Sequence, residues 1–208
     1  MKDVFSHCYE HNCWECAESR SGPGSSATGS ALVRRHLPDL FNRCGIKVLV
    51  DVPCGDFNWM RLALPTLGLD RYIGGDIVER IVTDNNLMHG ASDVEFRVVD
   101  ITRDDLPPGD LLLCRFCLQH LSDAAIHASL ANFVRSGIPL ILLTSYWQVE
   151  RNMPIQDGGF YPVNFQAPPW SFPEPLEMVD DWAPGAEHKS ALALWTSRQV
   201  SLAVKVLL

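Results

Sequence analysis

Short apolar runs that end in an acid recur along this chain, each followed by a stretch with apolar positions at helical spacing. Lys47–Val52, Tyr72–Asp76 and Val94–Ile101 are such runs, and Asp110–Phe116 and Leu140–Ser145 continue the series. Near-continuous apolar runs of this length are the pattern of strands buried on both faces, so they predict strands one to five of a largely parallel sheet. Between them, Leu32, Val33, His36, Leu37, Leu40 and Phe41 give a helical stripe over Ala27–Cys44, with Pro38 as a kink and Gly45 as its end. Asn58–Leu64 predicts a short helix stopped by Pro65, and Ile77, Ile81 and Val82 mark a helix face that ends near Gly90. Ser122 is placed to cap a helix carrying Ile126, Leu130, Phe133 and Val134, closed by Gly137. Ser190–Thr196 and Val200–Leu207 predict two strands forming a terminal hairpin.

Alternating strands and helices give an α/β fold, a single Rossmann-like doubly wound sheet, mostly parallel with a C-terminal antiparallel hairpin. Residues 1–208 are expected to form one domain. Two segments stand apart from the alternation. Residues 1–26 are polar, aromatic and Gly/Ser-rich and predict an irregular N-terminal arm or lid. Residues 148–175 are rich in Pro, Asn, Gln and aromatics and predict a substrate-side insertion, because a connection this long in a compact domain is usually functional.

Charge and composition narrow the partners. The chain has 208 residues with formal net charge -8, which disfavours a nucleic-acid backbone or an anionic membrane as the main partner. Ile138–Leu143 is far too short to cross a bilayer, and Met-Lys-Asp-Val-Phe-Ser lacks a signal-peptide core, so the expected location is cytoplasmic. Seven cysteines, an odd number, point to reduced thiols. Cys13-x-x-Cys16 has zinc-knuckle spacing beside His7, Cys8 and His11, but no second pair follows, and no metal is expected.

The candidate chemistry lies in Asp51-Val-Pro-Cys-Gly-Asp-Phe-Asn-Trp59, a Gly-bearing turn after strand one, where open sheets bind ligands. Gly55 allows the backbone to approach a ligand closely. The loop has no Gly-Lys-Ser/Thr, and Pro53 and Phe57 replace glycines of the dinucleotide fingerprint. Asp76, at the tip of strand two, is suited to two ribose hydroxyls, and Asp100 with Ile101 could flank an adenine. Asp51 has a plain alternative as a stabiliser of the turn, and Asp100 as a helix cap.

These segments resemble class I S-adenosylmethionine-dependent methyltransferases: Asp51–Trp59 (motif I), Gly74-Gly-Asp-Ile77 (motif II), Val99-Asp-Ile101 (motif III) and Asp110–Arg115 (motif IV). Cys114–Ser122, the arm Tyr9–Ser25, Asn164–Trp170 and Lys189–Trp195 are similar to a group of small, poorly characterised bacterial methyltransferases. The resemblance implies S-adenosyl-L-methionine as cofactor and S-adenosyl-L-homocysteine as product. It implies cofactor contacts from Trp14, Gly24 and Ser25 of the arm, and from Asp51, Pro53, Cys54, Gly55 and Asp56. Asp76, Ile77, Asp100, Ile101, Cys114 and Arg115 complete the implied set. His120 is the candidate general base, with a free-imidazole pKa near ~6.5; its plain alternative is a structural residue bonded to backbone or bridging to the cofactor shell. Arg115, in the catalytic site, is placed either to bind an anionic acceptor or to pair with an acid. Tyr146, Trp147, Asn152, Tyr161, Asn164 and Gln166 are candidate acceptor contacts. Trp14, Tyr146, Trp147, Tyr161 and Trp170 are placed either to plug the core or to stack on a sugar or a flat acceptor.

Absences narrow the acceptor. No Asn/Asp-Pro-Pro-Tyr/Phe motif follows strand four, and motif IV lacks the acids of a magnesium-dependent catechol enzyme. The expected function is methyl transfer to a hydroxyl of a small metabolite or glycan. The alternatives are a non-catalytic adenosyl-ligand-binding protein, a protein or tRNA methyltransferase, and an NAD-dependent oxidoreductase.

Overall fold

Val48–Asp51 (β1) is an interior strand of a seven-stranded sheet and pairs in parallel with Arg71–Asp76 (β2) on one side and Leu111–Cys114 (β4) on the other. The structure is a computed structural model that describes residues 1–183 and 185–206. Val94–Val98 (β3) extends the sheet beyond β2, and Leu140–Ser145 (β5) beyond β4, all in parallel. Ala191–Thr196 (β7) then runs antiparallel to β5, and Glu177–Asp180 (β6) antiparallel to β7. The order β3-β2-β1-β4-β5-β7-β6 reverses direction of growth at β1/β4. The predicted mostly parallel sheet with an antiparallel C-terminal end is therefore present.

Strand periodicity divides the core into two layers. Leu49, Leu111 and Leu113 point to one face, where they pack with Val33, Leu37, Leu40 and Phe41 of Ala31–Cys44 (α2) and with Met60 and Ala63 of Met60–Leu67 (α3). Val50, Leu112 and Cys114 point to the other, against Ile126, Leu130 and Phe133 of Asp123–Arg135 (α5). Both faces of the central strands are thus buried, which is why their sequence reads as unbroken apolar runs. Glu79–His89 (α4) follows β2, and the Ser122 hydroxyl accepts from Ala125 N–H at the start of α5 (3.4 Å). No helix among the described residues is long and apolar enough to cross a membrane.

Several elements differ from expectation. Residues Lys2–His11 form a helix (α1) rather than irregular arm. Pro65 lies inside α3, which runs on to Leu67 and ends where Gly68 turns left-handed (φ 64°). The expected strand Val200–Leu207 is the helix Ser197–Val206 (α6), with Leu207 outside the described residues. The cause is local: Thr196 N–H and hydroxyl both donate to Gln199 Oε1 (2.9 Å), and Gln199 N–H donates back to Thr196 Oγ1 (3.2 Å). This is a capping box, which starts a helix. The antiparallel end of the sheet is accordingly made by β7 between β5 and β6, not by a hairpin after β7.

The long segment 148–175 has no helix or strand but is anchored. Val163, Phe165, Trp170 and Phe172 join the core around Trp195. Asn152 Nδ2 donates to the carbonyls of Asn164 (2.8 Å) and Pro168 (2.9 Å), and its Oδ1 accepts from Asn164 N–H (2.9 Å). Side-chain amides here satisfy backbone groups that an irregular segment cannot pair with itself.

Candidate active site

The reversal of strand order at β1/β4 parts the connections on either side of it, and a crevice opens at the carboxyl ends of the strands. A cavity of about 590 Å³ lies there, within the ~300–1,000 Å³ usual for small-molecule sites. Its floor is built from strand tips: Pro53, Cys54 and Gly55 after β1, Asp76 at the end of β2, Arg115 after β4 and Tyr146 after β5. Its roof is the arm, with Phe5, Cys8 and Tyr9 on one face of α1 and then Trp14, Gly24 and Ser25. The spacing of Phe5, Cys8 and Tyr9 is helical, so α1 presents one apolar stripe to the cavity.

The β1 loop and Asp76 are built together. Gly55 turns left-handed (φ 57°), and its N–H donates to Asp76 Oδ2 (3.1 Å), while Val78 N–H donates to Asp76 Oδ1 (2.9 Å). A Cβ at Gly55 would come within 2.4 Å of the Ser21 hydroxyl oxygen, so the loop and arm touch only because the residue is glycine. Burial pushes the Asp76 carboxyl up to about 6, against the backbone hydrogen bonds that pull it down. The carboxylate is therefore largely ionised at neutral pH, with lone pairs left on both oxygens.

Arg115 does not present a free cation. Its Nε and Nη2 pair with both oxygens of the fully buried Asp181 (2.7 Å each), and Nη2 also donates to the Gly24 carbonyl (2.9 Å). The guanidinium lies 4.5 Å from the Trp59 ring centre and 4.4 Å from that of Phe116. Of the two roles expected for Arg115, the structure shows the pairing with an acid: Nε and Nη2 of the fork are taken by Asp181, while Nη1 is buried without a partner among the described residues.

His120 lines the cavity at the end of the short 3₁₀ turn Leu118–His120. Its Nδ1 lies 2.8 Å from the Gly159 carbonyl, which can only accept. Nδ1 therefore carries the proton, and Nε2 of the neutral ring is an acceptor. Burial lowers the His120 pKa from 6.5, against the Gly159 hydrogen bond that raises it. The loop around Gly159 is fixed to the same turn, through Gly158 N–H to His120 O (2.8 Å), Tyr161 N–H to Gln119 O (2.9 Å) and Ser122 N–H to Asp157 Oδ1 (2.8 Å).

Other candidate residues lie outside the cavity. Asp51 is buried and accepts from the Tyr72 hydroxyl (2.7 Å) under the β1 turn; burial pushes its carboxyl up to about 7. Asp56 holds the arm: its carboxylate accepts from Ser19 Oγ (2.8 Å) and Arg20 N–H (2.8 Å), and its own N–H donates to Ser21 Oγ (2.8 Å). Asp100 caps a turn through Thr102 N–H (3.0 Å) and the Thr102 hydroxyl (2.6 Å), and Ile101 and Cys114 are buried in the core. Ile77 precedes α4 and does not line the cavity either.

Of the acceptor candidates, only Tyr146 lines the main cavity. Tyr161 lines a neighbouring space of about 660 Å³ that shares Tyr146 and Phe160 as a wall. Asn152 and Asn164 hold the 148–175 segment together, Trp147 accepts from Asn164 through its carbonyl (3.4 Å), and Gln166 is exposed. Tyr9, Phe116, Gln119 and Phe160 are lining residues that sequence reading did not single out. Phe116 directly follows motif IV and Phe160 follows a Gly-Gly pair, both signals of close packing at a loop. All seven cysteines are free, and no group of three or more His, Cys, Asp or Glu among the described residues is placed to hold a metal ion.

The Arg115–Asp181 pair has a measurable consequence. Asp181→Ala leaves a buried guanidinium without its counter-charge and is expected to cost about 3–5 kcal/mol of unfolding free energy. The double variant Arg115→Met with Asp181→Leu recovers most of that loss. Chemical denaturation of the wild type and both variants measures it, and a loss below ~1 kcal/mol in Asp181→Ala would contradict the role given to this pair.

No protein-family model and no curated protein matches the chain. Solved structures do. The structure of 1,6-didemethyltoxoflavin-N1-methyltransferase from Burkholderia thailandensis, with 1,6-didemethyltoxoflavin and S-adenosylhomocysteine bound, superposes with TM-score 0.63 at 16% identity, covering 94% of this chain and 86% of that one. Human N-acetylserotonin methyltransferase in complex with S-adenosylmethionine gives 0.57 at 16% identity over 78% of this chain; the matched part is about half, 51%, of the human chain. An N-methyltransferase from Bradyrhizobium japonicum WM9 with S-adenosylhomocysteine gives 0.56 at 14% identity, covering 78% of this chain and 86% of that one. The chain has the fold of class I S-adenosylmethionine-dependent methyltransferases.

Proposed function

We propose that the chain is an S-adenosylmethionine-dependent methyltransferase that acts on a hydroxyl of a small molecule or glycan. The observation that carries this reading is the Asp76 carboxylate, which is buried, lines the main cavity and is bonded to the glycine loop after β1. The site suits the cofactor on its own chemistry. Asp76 offers two oxygens to the two ribose hydroxyls, Gly55 lets the backbone come close, and the apolar Val78 and Ile81 offer a face to a purine. A solved structure of this fold with 1,6-didemethyltoxoflavin bound beside S-adenosylhomocysteine supports a small acceptor.

When bound, the cofactor supplies a methyl group on a sulfonium, whose carbon–sulfur bond breaks, with the electron pair kept by sulfur, as the bond to the acceptor oxygen forms. The protein aligns the partners and excludes water; alignment of this kind is worth roughly 7–11 kcal/mol at its upper end. The arm roofs the cavity. His120 Nε2 receives the hydroxyl proton, and the Gly159 carbonyl holds the resulting imidazolium through Nδ1–H.

Calorimetric titration of S-adenosylhomocysteine tests the first claim. Wild type is expected to bind with a micromolar dissociation constant, and Asp76→Ala at least ~10-fold more weakly, ~1.4 kcal/mol. Absence of binding to folded wild type overturns the reading. The role of His120 predicts a pH profile. Since its pKa is lowered from 6.5, the neutral base persists below that value, and kcat falls only as the pH drops through the lowered pKa. Saturating cofactor keeps the Asp76 titration out of this profile. His120→Gln should lower kcat by roughly 10²–10⁴ and abolish that acid limb; an unchanged limb would exclude His120 as the base.

A further inference from the structure

The cavity has two chemically distinct ends. Asp76 marks one, at the tip of β2; Tyr146 marks the other, after β5. With β1 and β4 between them, the two tips stand about three strand spacings apart, roughly 14 Å at ~4.8 Å per spacing. At the β4–β5 end the aromatic rings form a continuous belt. Trp14 and His120 have centroids 6.0 Å apart, His120 and Phe160 5.5 Å, and Phe160 and Tyr146 6.4 Å at 85°. Phe116 lies beside them on the cavity wall. The formal charge at this end, on Arg115, is matched by Asp181 behind it. Gln119, buried and lining the same end, adds an amide with both donor and acceptor capacity.

We infer that the β4–β5 end of the cavity takes a flat, uncharged aromatic or heteroaromatic molecule whose acidic hydroxyl meets His120. The inference rests on the methyltransferase reading and narrows its acceptor. Rings at these separations and tilts leave faces and edges on which another ring packs favourably. A charged acceptor would find the cation at this end, Arg115, already paired with Asp181 and only its Nη1 without a partner among the described residues, which leaves the cost of burying its charge poorly offset. A sugar would set several hydroxyls against ring faces, more than the few polar tips here, His120 Nε2, the Tyr146 hydroxyl, the Trp14 indole N–H and Gln119, can satisfy together, and each unsatisfied group costs about 1–3 kcal/mol. Proton transfer gives the same direction. A neutral imidazole is a weak base, matched better to a phenol-like hydroxyl (pKa ~10) than to an aliphatic one nearer the ~15.7 of water. In the reaction the phenolic O–H bond breaks, its proton goes to Nε2, and the oxygen lone pair forms the bond to the methyl carbon.

Calorimetry with three probes tests this: 2-naphthol, naphthalene-2-sulfonate and methyl glucoside, each titrated with and without S-adenosylhomocysteine present. The expected result is that 2-naphthol binds at least tenfold tighter than either of the others. Phe160→Ala, at a position 52% exposed and so removable without a core cavity, should weaken 2-naphthol by about three- to tenfold. Equal or tighter binding of the sulfonate or the glucoside, no binding of 2-naphthol, or a Phe160→Ala variant that binds it as well as wild type overturns the inference. If S-adenosylhomocysteine itself fails to bind, the methyltransferase reading fails instead, and the titrations without it still report on the aromatic end.

Discussion

The ion pair between Arg115 and Asp181 joins parts of the chain that lie far apart in the sequence. Arg115 follows β4 at the centre of the sheet; Asp181 follows β6 at its far edge. The same guanidinium reaches the Gly24 carbonyl of the arm and lies between the rings of Trp59 and Phe116. Burying two charges costs several kcal/mol for each ion, and only the bidentate geometry with its added hydrogen bond offsets it. The wall of the cavity is therefore positioned by a guanidinium whose charge is already paired, with Nη1 its one buried nitrogen left without a partner among the described residues.

The roof depends on a second set of polar contacts. Asp56 takes hydrogen bonds from Ser19 and Arg20, and Asn58 donates to Glu18 Oε1 and the Ser25 carbonyl (2.9 Å each). Both residues belong to the loop after β1, whose neighbouring Gly55 is bonded to Asp76. The arm thus docks on the loop that would hold the cofactor, so closing the roof and shaping the cofactor site are one structural event. The exposed ion pair of Lys2 with Glu79 also ties down the arm but contributes little.

The central strands were legible because burial on both faces leaves an unmistakable apolar run, and the acids at their ends marked the ligand edge. Asp76 could be placed for that reason. Asp100 ends a similar run, yet its carboxylate folds back on Thr102, a local contact that the strand pattern does not reveal. The helix α6 was misread as a strand because Val200, Leu202 and Val204 alternate; the stronger signal was Thr196-x-x-Gln199 just before it. α1 was missed although Phe5, Cys8 and Tyr9 carry the helical spacing, since its polar residues dominate the composition. Asn152 and Asn164 looked like ligands for an acceptor but satisfy the backbone of their own loop. Of the aromatic belt, Trp14, His120 and Tyr146 were candidates one by one, but Phe160 and the meeting of all four were not legible, because they are scattered over most of the chain and come together only in three dimensions.

The proposed chemistry depends on the crevice at β1, β2 and β4 being a nucleoside site anchored by Asp76. A crystal structure of the protein with S-adenosylhomocysteine tests this most directly. Both ribose hydroxyls are expected within hydrogen-bond distance of the Asp76 carboxylate, with the sulfur directed toward the aromatic end near His120. Ligand bound elsewhere, or bound in the crevice with its ribose away from Asp76, would contradict it.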